Sequence, residues 1–138
     1  MDKLVLEKKV DSILRTIQRV ETHTPATFDI FLKDIDAQDI IVLNLTRIIQ
    51  SCVDIAMHIT ANANIETPQT MSESFNALHK LNLIDKPLAE KLIKSVGFRN
   101  IAIHTYGELD LNLTFMIAKH HITDFKDFIK QISDSISL

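Results

Sequence analysis

Four side-chain types able to do phosphate chemistry fall together in Arg99-Asn100-Ile101-Ala102-Ile103-His104-Thr105-Tyr106, which contains the chain's only tyrosine. The only two glycines, Gly97 and Gly107, bracket this stretch. Lys86, Lys91 and Lys94 precede it with only Glu90 opposing them, so the region is locally basic. A histidine can give or take a proton at neutral pH. An arginine can grip a phosphate with two parallel hydrogen bonds. An asparagine can position a group or donate to an oxyanion. These are the parts needed to cleave an RNA phosphodiester without a metal, because the 2′-hydroxyl of the RNA is the nucleophile. The same residues also read as structural polar groups at a helix end.

Geometry limits what one helix can do with them. Arg99 and His104 lie about 7.5 Å apart along a helix axis and differ by about 140° in direction. Asn100 and His104, four residues apart, share a face. Two such helices meeting at a two-fold axis would place two arginines and two histidines around one cleft. Gly97 falls on the Asn100/His104 face, and a mid-helix glycine costs about 1 kcal/mol relative to alanine. The close approach of a second backbone along that face would offset the cost. Gly107 fits the position just past a helix end, where positive φ is common. Tyr106 then sits on the last turn of the helix, with its hydroxyl free to reach outward.

Other chemistries are excluded by residue type. No HExxH occurs, and one cysteine with scattered histidines gives no metal-ligand spacing. A chain with two glycines has no P-loop or dinucleotide-binding loop. No bound cofactor or metal is expected. The net charge of −3 and pI of about 6.0 are unlike a general nucleic-acid binder, so any contact with RNA must be local. The lone Cys52 rules out an internal disulfide and suits a reducing, cytoplasmic setting. No secretory signal and no membrane-spanning stretch is expected.

The elements that would present the motif are helical. Apolar residues make up 46% of 138, enough for a core in a single domain over 1–138, and few residues suit hairpin turns. Leu6, Val10, Ile13, Leu14, Ile17 and Val20 predict a helix over 3–21. Thr24-Pro25 reads as a cap and first helical residue, leading Phe28, Phe31 and Leu32 into a short helix. The longest helix is predicted over 37–63, with Asp36 as its cap and Asp39 favouring its dipole. Its apolar residues spread over so much of the circumference that it must be buried on more than one side. Thr70 with Glu73 forms a capping box for a helix carrying Phe75 and Leu78. Asp85 caps the motif helix, predicted over 86–106, with Leu88, Leu92, Val96 and Ile103 as its core face. After Asp110, Leu113, Phe115, Met116 and Ile117 predict a helical segment. A bend at His120–Thr123 precedes a last helix with Phe125, Phe128, Ile129, Ile132 and Ile136 on one stripe. The expectation is an all-α antiparallel bundle of about five or six helices.

A polar stripe crosses the longest helix: Asn44, Arg47, Ser51, Asp54 and His58, at alternating steps of three and four. It reads either as a solvated face or as the wall of a cleft.

The motif Arg99-x4-His104-x-Tyr106 resembles the R-x(4–6)-H-x-Y signature of the HepT-like proteins of the HEPN superfamily. The likeness extends to Asn44-Leu45 through Asp54-Ile55-Ala56, Thr67-Pro68, Phe75 with Leu78, the Gly97-Phe98-Arg99-Asn100 lead-in and the Phe125–Ile132 tail. The resemblance implies a homodimeric helical bundle whose two motifs line a shared cleft. It implies the metal-independent endoribonuclease of a type VII HEPN/MNT toxin–antitoxin pair, with RNA as substrate and no membrane partner. It further implies an MNT-type nucleotidyltransferase antitoxin that adenylylates Tyr106, with Arg99 and His104 catalytic and Asn100 supporting them. A HEPN module that only binds or oligomerises, regulated by such a partner, is the alternative.

Overall fold

The computed structural model describes residues 2–138. Its helices are α1 (Lys3–His23), α2 (Phe28–Leu32), α3 (Ile35–Ala61), α4 (Met71–Lys80), α5 (Lys86–His104), α6 (Leu111–Met116) and α7 (Ile122–Ile136). A π turn, Ile117–His121, joins α6 to α7, so 111–136 is one interrupted helix and the bundle has six. No strand occurs among the described residues.

α3 is the axis of the bundle. Ile41, Leu45, Ile48, Ile49, Cys52 and Ala56 are fully buried, and α1, α4, α5 and α7 all pack on it. The helix is long and apolar enough to cross a membrane, but its apolar residues are those of the core. Burial pushes the Cys52 thiol far above the ordinary thiol range, with a smaller push from Asp54. That cysteine is a packing residue and not a nucleophile.

Aromatic contacts join the short elements to this axis. Phe28, Phe31 and Phe115 form a triangle with ring centroids 5.5, 5.8 and 6.3 Å apart, tying α2 to α6. Phe75 of α4 meets Phe128 of α7 edge-on at 6.0 Å. Both geometries are favoured by the ring quadrupole.

Local sequence explains most helix ends, with some corrections. The capping box forms: the Glu73 N–H donates to Thr70 Oγ1 at 3.0 Å. The Glu73 carboxylate reaches one residue further back, to the Gln69 N–H at 2.6 Å. Asp85 caps α5 by accepting from the Leu88 N–H at 2.9 Å, and Pro87 sits in the first turn. The cap of α3 is Asp34 and not Asp36, because the Asp34 carboxylate accepts from the Ala37 N–H and its carbonyl starts the helical ladder. Asp36 lies inside the first turn. Thr24 does not open α2. It closes α1 by donating from Oγ1 to the Val20 carbonyl at 2.6 Å, and Thr27 caps α2.

Several apolar residues that the sequence reading used to place helices are exposed instead: Leu14, Leu32, Ile103, Leu113 and Met116. On α5, Phe98 and Ala102 are buried while Ile103 lies beyond the edge of the packed face. Where a bend is expected at 120–123, a π turn at Ile117–His121 interrupts the helical run just before α7. His120 and His121 are exposed there, and His121 Nδ1 lies 3.5 Å from Asp124.

Candidate active site at the end of α5

α5 is fixed at both ends, and this sets where its side chains point. At its start, the Asp85 N–H donates to Gln131 Oε1 at 2.8 Å and Gln131 Nε2 donates back to Asp85 Oδ2 at 3.0 Å. The cap of α5 is therefore bolted to α7. At its other end the helix stops at His104, two residues earlier than the sequence predicts. The Thr105 N–H still bonds to the Ile101 carbonyl, and Tyr106–Glu108 then form a single 3-10 turn. Tyr106 is accordingly beyond the helix. Its hydroxyl does not project freely but donates to Asp39 Oδ1 near the start of α3. Gly107 lies in that turn without a positive φ, because a 3-10 turn requires none.

The motif side chains leave α5 in different directions. His104 is exposed, as are Asn100, Gly97 and Ile101. Together they make an open face that nothing among the described residues covers. A methyl group built on Gly97 would meet nothing within 4 Å, so no backbone within the chain approaches it closely. Arg99 points the other way and is half-buried. Its Nη1 donates to Asn100 Oδ1 at 3.1 Å, while its Nε is buried without a partner. Asn100 thus turns the guanidinium from the inner side of the helix toward the open face. Among the described residues no carboxylate pairs with Arg99 or Arg47; the ion pairs are Lys91–Asp124, His121–Asp124 and Lys126–Glu21. The positive charge of Arg99 is unspent and available to an anion.

Beside Tyr106 a shallow cleft of about 360 Å³ lies between α3 and α5, lined by Asp39, Val42, Leu43, Thr46, Ala102 and Ile103. The α3 side of it is Asp39, Val42, Leu43 and Thr46. The polar stripe runs along another side of that helix and does not line this cleft. Asn44 is buried, with Nδ2 donating to the Ile40 carbonyl at 2.7 Å and Oδ1 left without a partner. Arg47 is exposed, and Ser51, Asp54 and His58 are half-buried. Asp54 accepts from Gln50 Nε2 at 2.9 Å, and His58 Nε2 is buried without a partner. The structure therefore brings Arg99 and Asn100 together and places Tyr106 on Asp39. It leaves His104 on an open face.

Asp39 is the residue that the sequence reading left out of the site. Its contact spans 67 positions, so no local pattern reveals it, although its helix phase matches Leu43 and Thr46. Burial raises the phenol pKa, the hydrogen bond and the charge of Asp39 add to the effect, and together they push it up to about 12. Tyr106 is thus a neutral phenol at physiological pH. No three His, Cys, Asp or Glu side chains among the described residues converge as a metal site.

The chain as a whole has counterparts. The "mRNA nuclease HepT" of Shewanella oneidensis is 38% identical over 128 residues, covering 93% of this chain and 96% of that protein. The "tRNA nuclease HepT" of Aphanizomenon flos-aquae is 25% identical over 133 residues, covering 96% and 90%. The solved structure described as the tri-AMPylated Shewanella oneidensis HEPN toxin in complex with MNT antitoxin superposes with a TM-score of 0.88 and 37% identity, covering 97% of this chain and 99% of that one. The model of the ribonuclease HepT-like family matches residues 13–132, and the chain belongs to that family.

Proposed function

We propose that this protein is the toxin of a type VII HEPN/MNT toxin–antitoxin pair, a homodimeric endoribonuclease that cleaves RNA without a metal ion. The observation that carries the reading is the state of the motif on α5. Arg99 is turned by Asn100 and free of any carboxylate, and His104 is open to a substrate. In this reading the Arg99 guanidinium holds the scissile phosphate and neutralises the charge that grows on it. His104 moves the protons, from the attacking 2′-hydroxyl or to the leaving 5′-oxygen. The 2′-oxygen bonds to phosphorus, the bond from phosphorus to the 5′-oxygen breaks, and a 2′,3′-cyclic phosphate and a 5′-hydroxyl result.

Arg99 and His104 diverge on one helix, so one protomer offers the phosphate either a grip or a proton carrier. The uncovered face of Gly97, Asn100, Ile101 and His104 supports pairing with a second copy, which would supply the complementary group. Relatives described as an mRNA nuclease and a tRNA nuclease support RNA as the substrate. The relative described as tri-AMPylated and bound to MNT antitoxin supports a nucleotidyltransferase partner that adenylylates Tyr106.

The test is expression of wild type and His104→Ala, each with and without the neighbouring nucleotidyltransferase. Wild type alone should halt growth and fragment RNA. His104→Ala should do neither, and the partner should restore growth to wild type. Unimpaired growth and intact RNA with wild type alone would favour a binding module instead.

A further inference from the structure

Asp39 lies past the first turn of α3, whose acidic residue is Asp36, so the expected pairing with the helix dipole does not account for its charge. It does not cap α3, which is done by Asp34. It forms no ion pair among the described residues, and it is exposed. Its one side-chain partner is the Tyr106 hydroxyl, which donates to Oδ1 from the far side of the cleft. The cleft walls are otherwise Val42, Leu43, Thr46, Ala102 and Ile103, none of them ionisable. The titratable groups next along the chain are His104 and Glu108 on the Tyr106 side and Asp36 on α3, and the phenol donates to none of these.

We propose that Asp39 positions Tyr106 for nucleotidyl transfer and accepts the phenol proton as the transfer occurs. The proposal rests on the reading of Tyr106 as the residue a partner nucleotidyltransferase modifies. A phenol that is neutral at physiological pH is a poor nucleophile, so transfer at that pH needs a base in contact with it. A carboxylate oxygen already accepting from the hydroxyl meets the geometric requirement. The phenol oxygen attacks the α-phosphorus of a nucleoside triphosphate and forms an aryl phosphodiester. The bond from the α-phosphorus to the bridging oxygen breaks and pyrophosphate leaves. The phenol proton passes to Asp39 Oδ1. The base is thus supplied by the protein being modified, and it sits on α3, the most firmly packed helix. The turn that carries Tyr106 needs no order of its own to aim the nucleophile.

The experiment combines the protein, purified free of modification, with its separately purified neighbouring nucleotidyltransferase, Mg²⁺ and ATP labelled at the α-phosphate. It follows the initial rate at which label enters the Tyr106 peptide. In Asp39→Asn an amide oxygen can still accept from the hydroxyl but is not a base. Asp39 is exposed, so the variant should keep its helix content and melting temperature. The rate at pH 7 should fall about 100-fold or more. The ratio of variant to wild type should then climb about tenfold per pH unit from pH 7 to 9, as the phenol ionises unaided. Asp39→Glu, which keeps the carboxylate, should recover much of the rate. A wild-type rate in Asp39→Asn would overturn the role of Asp39, as would a loss that does not respond to pH, with modification of Tyr106 itself untouched. Wild-type protein that takes up no label would instead overturn the reading of the partner, and the role of Asp39 with it.

Discussion

His104→Ala is expected to lower the rate of RNA cleavage by about 10²–10⁴-fold, the usual contribution of a positioned proton carrier, while the fold stays intact. His104 is exposed and its side chain makes no hydrogen bond among the described residues, so truncation opens no cavity and orphans no buried group. Arg99→Ala should cost at least as much, because the guanidinium meets the charge that develops at phosphorus. The two variants should part in stability. Arg99 is half-buried, so loss of its long side chain should lower the melting temperature by a few degrees. Arg99→Lys should not rescue cleavage, because an ammonium offers neither the planar fork nor the geometry that Asn100 orients. Single-turnover cleavage of a labelled RNA, read beside circular dichroism melts, separates these effects. Cleavage by His104→Ala within threefold of wild type would remove the histidine from the mechanism.

Tyr106→Phe is expected to abolish AMP addition and, with it, neutralisation by the partner. The ring can still sit in the cleft against Ile103, but the nucleophilic oxygen and the bond to Asp39 are gone. A hydrogen bond to a charged group in a half-exposed setting contributes about 1.5 kcal/mol or less to the fold, so the variant should remain folded. Intact-mass measurement after co-expression should show AMP-sized steps on wild type only, confined to the peptide that contains Tyr106. Growth should stay arrested with Tyr106→Phe in the presence of the partner. The physical reason is charge. A phosphodiester on Tyr106 would stand two residues from His104, compete with RNA for Arg99 and repel the RNA backbone. If the partner rescues Tyr106→Phe as well as it rescues wild type, control comes from binding alone.

The helices were legible because they are built from local signals. The 3.6-residue spacing of Leu6 through Val20, and of Phe125 through Ile132, is visible without tertiary context. So are the caps Thr70 and Asp85, whose side chains reach only three residues ahead. Competition between neighbours was not legible. Asp34 and Asp36 are equally good caps by type, and the one whose carboxylate meets the Ala37 N–H wins. Ile103 and Phe98 illustrate the same limit, since periodicity gives a stripe's centre and only packing gives its edges.

The motif itself was legible as residue types at a spacing, including the divergence of Arg99 from His104. The link from Asn100 to Arg99 and the link from Tyr106 to Asp39 were not, because one depends on rotamers and the other joins distant elements. The polar stripe shows how a regular spacing can mislead. Asn44 belongs to it by phase, yet it is buried and bonded to its own helix.

The chemistry of the cut ends tests the central claim most directly. Purified wild-type protein, freed of its partner and of modification, is incubated with RNA in excess EDTA, and the products are analysed by mass spectrometry. The account predicts undiminished cleavage with 2′,3′-cyclic phosphate or its hydrolysis product on one fragment and a 5′-hydroxyl on the other. RNA in which the 2′-hydroxyl at the cleavage site is replaced by hydrogen should resist. Cleavage that requires added Mg²⁺ or Mn²⁺, or that leaves a 5′-phosphate and a free 3′-hydroxyl, would contradict it.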